Sequence, residues 1–129
     1  MSVGIVIVTH GDAGDALIAA AEFIAGEAMS EILFVPFRQS GERLTGASDL
    51  KAAMTRAETG DGVLVLTDLL GSSPSNLVAE QLPGDRAVMV TGLNLPMLLS
   101  VWNYRNKPLG LLARKAVESG RRGIKIFQS

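Results

Sequence analysis

A chain of 129 residues is enough for one domain that buries roughly 68% of its unfolded surface, and it leaves little room for a second. Apolar residues at 47% and charged residues at 19% are ordinary globular usage and argue against disorder. With 12 basic residues, 13 acidic residues, a formal charge of −1 and no cysteine, the sequence lacks the basic footprint of a nucleic-acid binder and excludes disulfides, thiolate catalysis and zinc–thiolate sites.

The chain opens with Val3 to Thr9, a continuous apolar run that predicts a strand covered on both faces. The preceding residues carry no basic region, so no signal peptide is expected, and no stretch is long and apolar enough to cross a bilayer. A cysteine-free chain without these signals fits a cytoplasmic location. Next comes a helix in which Ala13, Leu17, Ala20, Ala21 and Ile24 form one stripe, with Asp12 placed to cap its start.

Ile32 to Val35 predicts a second strand. A helix follows in which Ala47, Leu50, Met54 and Ala57 share a face, while Asp49, Lys51, Arg56 and Glu58 lie off it. Gly62 to Thr67 is the third strand. A short helix runs from Pro74 to about Leu82, stopped by Pro83-Gly84, and Arg86 to Thr91 is the fourth strand. Pro96 to Trp102 and Pro108 to Ser119 then predict two helices, the second closed by Gly120. Gly123 to Phe127 alternates and predicts a last strand at an edge, while Arg121, Arg122 and Lys125 around it form a solvated basic end. Alternating strands and helices over residues 1–129 predict a single α/β domain, an open and mostly parallel sheet with helices on both faces.

In open α/β sheets, chemistry gathers beyond the carboxyl ends of the strands, and three junctions lie there. The first is Thr9-His10-Gly11-Asp12. His10 is the sole histidine of the chain, and Gly11 allows a sharp turn into a helix whose first N–H groups and dipole favour an anion. Imidazole in general titrates at about 6.5, so such a ring offers a neutral, nucleophilic nitrogen at cytoplasmic pH. The plainer alternative is a structural histidine at a strand end.

The second junction is Asp68-Leu69-Leu70-Gly71-Ser72-Ser73-Pro74-Ser75-Asn76. Asp68 can accept a hydrogen bond from one ring nitrogen of His10 and so leave the other as nucleophile, while the Gly71-Ser72-Ser73 backbone and hydroxyls can cradle phosphoryl oxygens. Alternatively, Asp68 and Ser73 only cap the next helix. At the third, Gly92 and Asn94 fit turn and capping roles before Pro96. No Gly-x-x-x-x-Gly-Lys, Gly-x-Gly-x-x-Gly or Gly-x-Ser-x-Gly pattern occurs, and a single histidine with scattered carboxylates makes no metal-ligand cluster. No cofactor is expected.

Three stretches in order carry a resemblance: Thr9-His10-Gly11, Asp68-Leu69-Leu70-Gly71-Ser72-Ser73-Pro74-Ser75-Asn76, and Gly92-Leu93-Asn94-Leu95-Pro96-Met97-Leu98. Together they are similar to the EIIA components of mannose-type sugar phosphotransferase systems. Ser72 stands where that family has a second glycine, which leaves the detail of the phosphate cradle open. The resemblance implies that His10 takes a phosphoryl group from the phosphohistidine carrier HPr and passes it to an EIIB partner, with Asp68 orienting it. It also implies that Thr9, Gly11, Gly71, Ser72 and Ser73 surround the phosphoryl group. Homodimerisation by exchange of an antiparallel last strand is a family expectation, as are phosphoryl partners that are proteins. Within the resemblance, a regulatory carrier without sugar transport and a dihydroxyacetone-kinase phosphotransfer subunit stay open. From another class, a receiver-like α/β binding module would need clustered acids for Mg²⁺ and a lysine, where the strand ends here offer His10 and Asp68.

Overall fold

The computed structural model describes residues 2–40, 43–69, 78 and 86–128. Five strands form one sheet: β1 (Gly4–His10), β2 (Leu33–Ser40), β3 (Arg43–Thr45), β4 (Val63–Thr67) and β5 (Ala87–Thr91), in the order β3-β2-β1-β4-β5. β2, β1, β4 and β5 run parallel, and β3 is an antiparallel edge pairing Thr45 with Arg38 and Leu44 with Gln39. Four helices are described in full: α1 (Ala13–Ala25), α2 (Ala47–Ala57), α3 (Leu95–Asn103) and α4 (Leu109–Arg122).

The continuous apolar strands are explained by a core on each side of the sheet. Ile5 and Ile7 of β1 with Leu64 and Leu66 of β4 pack under α1, α3 and α4, where Ala21, Leu98, Val101 and Leu112 meet them. Val6 and Val8 with Val63 and Val65 face the other way, onto Leu50, Ala53 and Ala57 of α2 and onto Val78. Each such valine, leucine or isoleucine taken out of water stabilises the fold by about 1.5–3 kcal/mol, and slipping a central strand by one residue would exchange the two cores. The α/β class and the mostly parallel sheet with helices on both faces are as the pattern predicts.

Several details differ from the sequence reading. β2 continues past Val35 through Pro36 to Ser40. β3 pairs only from Arg38 onward, so β2 is still an edge strand at Pro36, where a residue without an N–H is tolerated. On α1 the buried positions are Gly14 and Ala21, with Leu17 and Ile18 half-buried, whereas Ile24 and its neighbour Phe23 are exposed. α4 does not close at Gly120 but passes through it to Arg122. Gly120 is small because α3 lies against it: a Cβ there would stand 3.0 Å from the Met97 Cε.

Within the chain, the antiparallel edge is β3. Residues 124–128 pair with no strand among the described residues, and Ile124, Ile126 and Phe127 stand 76%, 91% and 92% exposed. The expected helix from Pro74 to Leu82 lies outside the described residues apart from Val78, which is helical and buried.

Candidate functional site

The chain passes from β1 to β2 on one side and, after β3 and α2, to β4 on the other. The strand order therefore reverses between β1 and β4, and it is beyond the carboxyl ends at such a switch that open α/β sheets bind ligands. His10 closes β1 and Asp68 follows β4 directly. The parallel register that sets Val8 beside Thr67 brings the next residues of both strands to the same level.

Asp68 holds His10 at two points. Its Oδ2 accepts the backbone N–H of His10 (3.1 Å) and meets the ring Nδ1 at 2.9 Å. An ionised carboxylate brings no proton, so Nδ1 is the donor and Nε2 carries the lone pair. Partial burial pushes the Asp68 carboxyl up. The ring and backbone hydrogen bonds from His10, with the ring's attraction, outweigh this and leave the carboxyl below its ordinary value, so it stays ionised at neutral pH. The His10 side chain is 53% exposed and Asp68 25%, so the acid is sheltered while the ring faces solvent.

The flanking residues fix this geometry. Gly11 turns the chain at φ +51°, a conformation glycine adopts without the cost a side chain would bring, and its N–H donates to the Phe37 carbonyl of β2 (2.9 Å). Thr9 is fully buried. Its hydroxyl donates to the Gly11 carbonyl (3.2 Å) and accepts the Gly14 N–H (2.9 Å), one of the orphan donors of the first turn of α1.

This replaces the role expected of Asp12, which makes no side-chain bond to the helix and instead accepts from Arg38 Nη2 at the end of β2. At the third junction Gly92 turns at φ +78° and Asn94 caps α3 by accepting the Met97 N–H, as its position implies. The structure thus brings Thr9, His10, Gly11 and Asp68 together. Gly71, Ser72 and Ser73 lie outside the described residues. Arg38 lies beyond Val35, where the sequence pattern ends the second strand; the signal that carries it on is Val35-Pro36-Phe37-Arg38, in which Val35 and Phe37 are buried and Arg38 exposed. Among the described residues no group of three or more His, Cys, Asp or Glu side chains could hold a metal ion, and no helix is long and apolar enough to cross a membrane.

Residues 4–111 match the family model for the PTS system fructose IIA component, EIIA-man. The chain belongs to this EIIA family. Over its full length it is 32% identical to the PTS system mannose-specific EIIAB component of Escherichia coli K12, and equally to that of Shigella flexneri, in each case spanning 41% of the longer protein. In three dimensions it is similar to the mannose/sorbose specific IIA subunit of the phosphotransferase system from Enterococcus faecalis, with a TM-score of 0.87 at 21% identity over 100% of this chain and 97% of that one. It is also similar to the phosphotransferase system component EIIA from Streptococcus agalactiae, with a TM-score of 0.75 at 29% identity over 95% of each chain. The mannose-type EIIA family that the three sequence stretches resemble is therefore the right one. Membership rests on the matched sequence, and the Enterococcus faecalis likeness adds the fold.

Proposed function

We propose that this EIIA chain is a phosphohistidine carrier of a sugar phosphotransferase system, accepting a phosphoryl group on Nε2 of His10 from an HPr-type protein and passing it to an EIIB partner. The observation that carries the reading is the pair of hydrogen bonds that Asp68 Oδ2 accepts from the Nδ1 and the backbone N–H of His10, which orient the ring and favour the tautomer with a free Nε2. In the transfer, the Nε2 lone pair forms the new N–P bond as the donor's N–P bond breaks and that electron pair returns to the donor ring. Asp68 stabilises the charge that develops on the His10 ring through Nδ1–H. Delivery to the next partner is the reverse sequence. A half-exposed ring suits donors and acceptors that are themselves proteins.

The unpaired Ile124, Ile126 and Phe127 lie beyond α4, and an apolar groove beside the open edge of β5 is lined by Val88, Val90, Ala113 and Val117. Both features support a homodimer in which the last segment pairs with the partner's sheet. The test of the carrier reading is phosphotransfer from phosphoenolpyruvate through Enzyme I and HPr, followed by intact mass. One phosphate on the native chain and none on His10→Ala is expected. No phosphate on the native chain, with HPr shown to be charged and cognate, would overturn it.

A further inference from the structure

Arg38 lies on β2 one residue beyond the position in register with His10, is bonded to Asp12 two residues past it, and has no part in the transfer as described. It follows Phe37, the residue in register with His10, and the bond from Gly11 N–H to the Phe37 carbonyl ties the turn carrying His10 to the backbone carrying Arg38. Of the two strands that flank β1, β2 and β4, Arg38 is the sole basic residue. Arg121 lines a cavity with Thr91 and Gly92 at the end of β5, two strands away from His10. The partner of Arg38 is Asp12, two residues past His10.

The charges around His10 create a conflict. A phosphoryl group adds about −1.5 to −2 and three strong acceptor oxygens to a site that already holds Asp68 and has Asp12 at its rim. The Arg38–Asp12 pair is solvated, with the two side chains 54% and 69% exposed, and a pair of that kind is weak and easily exchanged. A guanidinium fork fits phosphoryl oxygens at least as well as a single carboxylate and gains from the larger charge.

We propose that Arg38 is the counter-charge for the phosphoryl group on His10, held by Asp12 until the group arrives. The assignment rests on the carrier reading of His10. It requires the two residues to act with opposite sign: Arg38 favours the phosphorylated state, while Asp12 opposes it, both by competing for Arg38 and by repelling the phosphoryl group.

The experiment equilibrates the full chain with a phosphorylated HPr-type donor and reads the phosphorylated fraction of each protein by intact mass. Arg38→Gln shifts the ratio about fivefold toward the donor, and Arg38→Lys restores part of it. Asp12→Asn shifts it about threefold toward this chain, and raising the salt shrinks both effects. Thermal unfolding shows that the exposed substitutions leave the fold intact. On phosphorylation of the native chain, the Arg38 Nε–Hε resonance, assigned by its loss in Arg38→Gln, moves. Equilibrium ratios that stay native in both variants, or move in the same direction, overturn the proposal. So does a change confined to the rate of approach, which marks Arg38 as a docking residue. A native chain that takes no phosphate from a charged donor removes the carrier reading first, and the Arg38 assignment with it. A native chain that is phosphorylated while the ratios do not respond removes the Arg38 assignment alone.

Discussion

At the amino ends of the strands, polar side chains are spent on the backbone. Glu58 accepts the N–H groups of Gly60 and Gly62 and, from Arg86, Nε–H and Nη2–H, while Arg105 donates to the Trp102 carbonyl and lies over the Trp102 ring at 3.7 Å. At the carboxyl ends the same kinds of group are arranged differently. Thr9 is used up in anchoring α1, but His10, Asp12 and Arg38 remain open to solvent, and one ring nitrogen of His10 has no bonding partner among the described residues. One end of the sheet closes the fold, and the other presents groups that a partner can reach. Substitutions at the first should therefore change stability, and substitutions at the second should change chemistry.

The largest effects test that division directly. His10→Ala should abolish phosphate acceptance by intact mass while shifting the thermal midpoint little, since the ring it removes is half-exposed. Asp68→Asn keeps the shape but gives Nδ1 an amide that can present either a donor or an acceptor. Transfer should slow by about 10²-fold in a rapid-quench assay. A full rate for Asp68→Asn would show that the tautomer is set by something other than this carboxylate.

At the opposite end, Gly4→Val should act on the fold alone. A Cβ on Gly4 would stand 2.1 Å from the backbone carbonyl oxygen of Ala57, which cannot swing aside as a side chain could. Overpacking of this kind costs about 3 kcal/mol or more, seen as a fall of roughly 10 °C in the thermal midpoint, with transfer by the remaining folded protein unchanged. A native midpoint would mean that α2 can move away from β1 freely.

Much of this was legible beforehand, and the reasons divide along the same line. The strands were visible because both faces of the sheet are buried, which leaves continuous Val, Ile and Leu runs. His10 and Asp68 were visible because strand ends in open sheets concentrate chemistry, and their meeting at 2.9 Å follows from the parallel register of β1 and β4. What was not legible depends on contacts between segments distant in sequence. Asp12 has the composition of a cap, yet Arg38, 26 residues away, takes its carboxylate, and Thr9 supplies the helix with an acceptor from inside the sheet. Gly120 resembles a helix stop until α3 is seen lying against it.

A smaller effect sharpens the comparison, because not every polar group at the carboxyl end is left open. Asn94 accepts the Met97 N–H and donates to the Gly120 carbonyl, both at 3.0 Å, so it caps α3 and ties it to α4. Asn94→Ala should cost about 1–2 kcal/mol in denaturant unfolding and leave the phosphorylated fraction unchanged. A loss of phosphorylation at unchanged stability would place Asn94 with His10 and not with the scaffold.

The smallest effect is the acid response of the amino end. Hydrogen bonds from Arg86, followed by those from the Gly60 and Gly62 amides, bring the Glu58 carboxyl from its usual 4.5 down to about 2, against a smaller opposing contribution from burial. A carboxyl whose value is lower in the folded chain contributes stability in full above its unfolded value. That contribution is lost as pH falls through the folded one. Glu58 should therefore leave the thermal midpoint flat above pH 5 and lower it progressively between about pH 4.5 and 2, and Glu58→Gln should flatten that limb. Asp68 is also held below its ordinary value and acts in the same direction, so Asp68→Asn removes a separate part of the slope. Because the Glu58 pair is partly solvated, the effect should shrink in high salt, whereas the loss caused by Gly4→Val should not. A Glu58→Gln profile parallel to the native one would show that the turn before β4 is held by its glycines and backbone bonds, and that the amino end owes its rigidity to shape more than to charge.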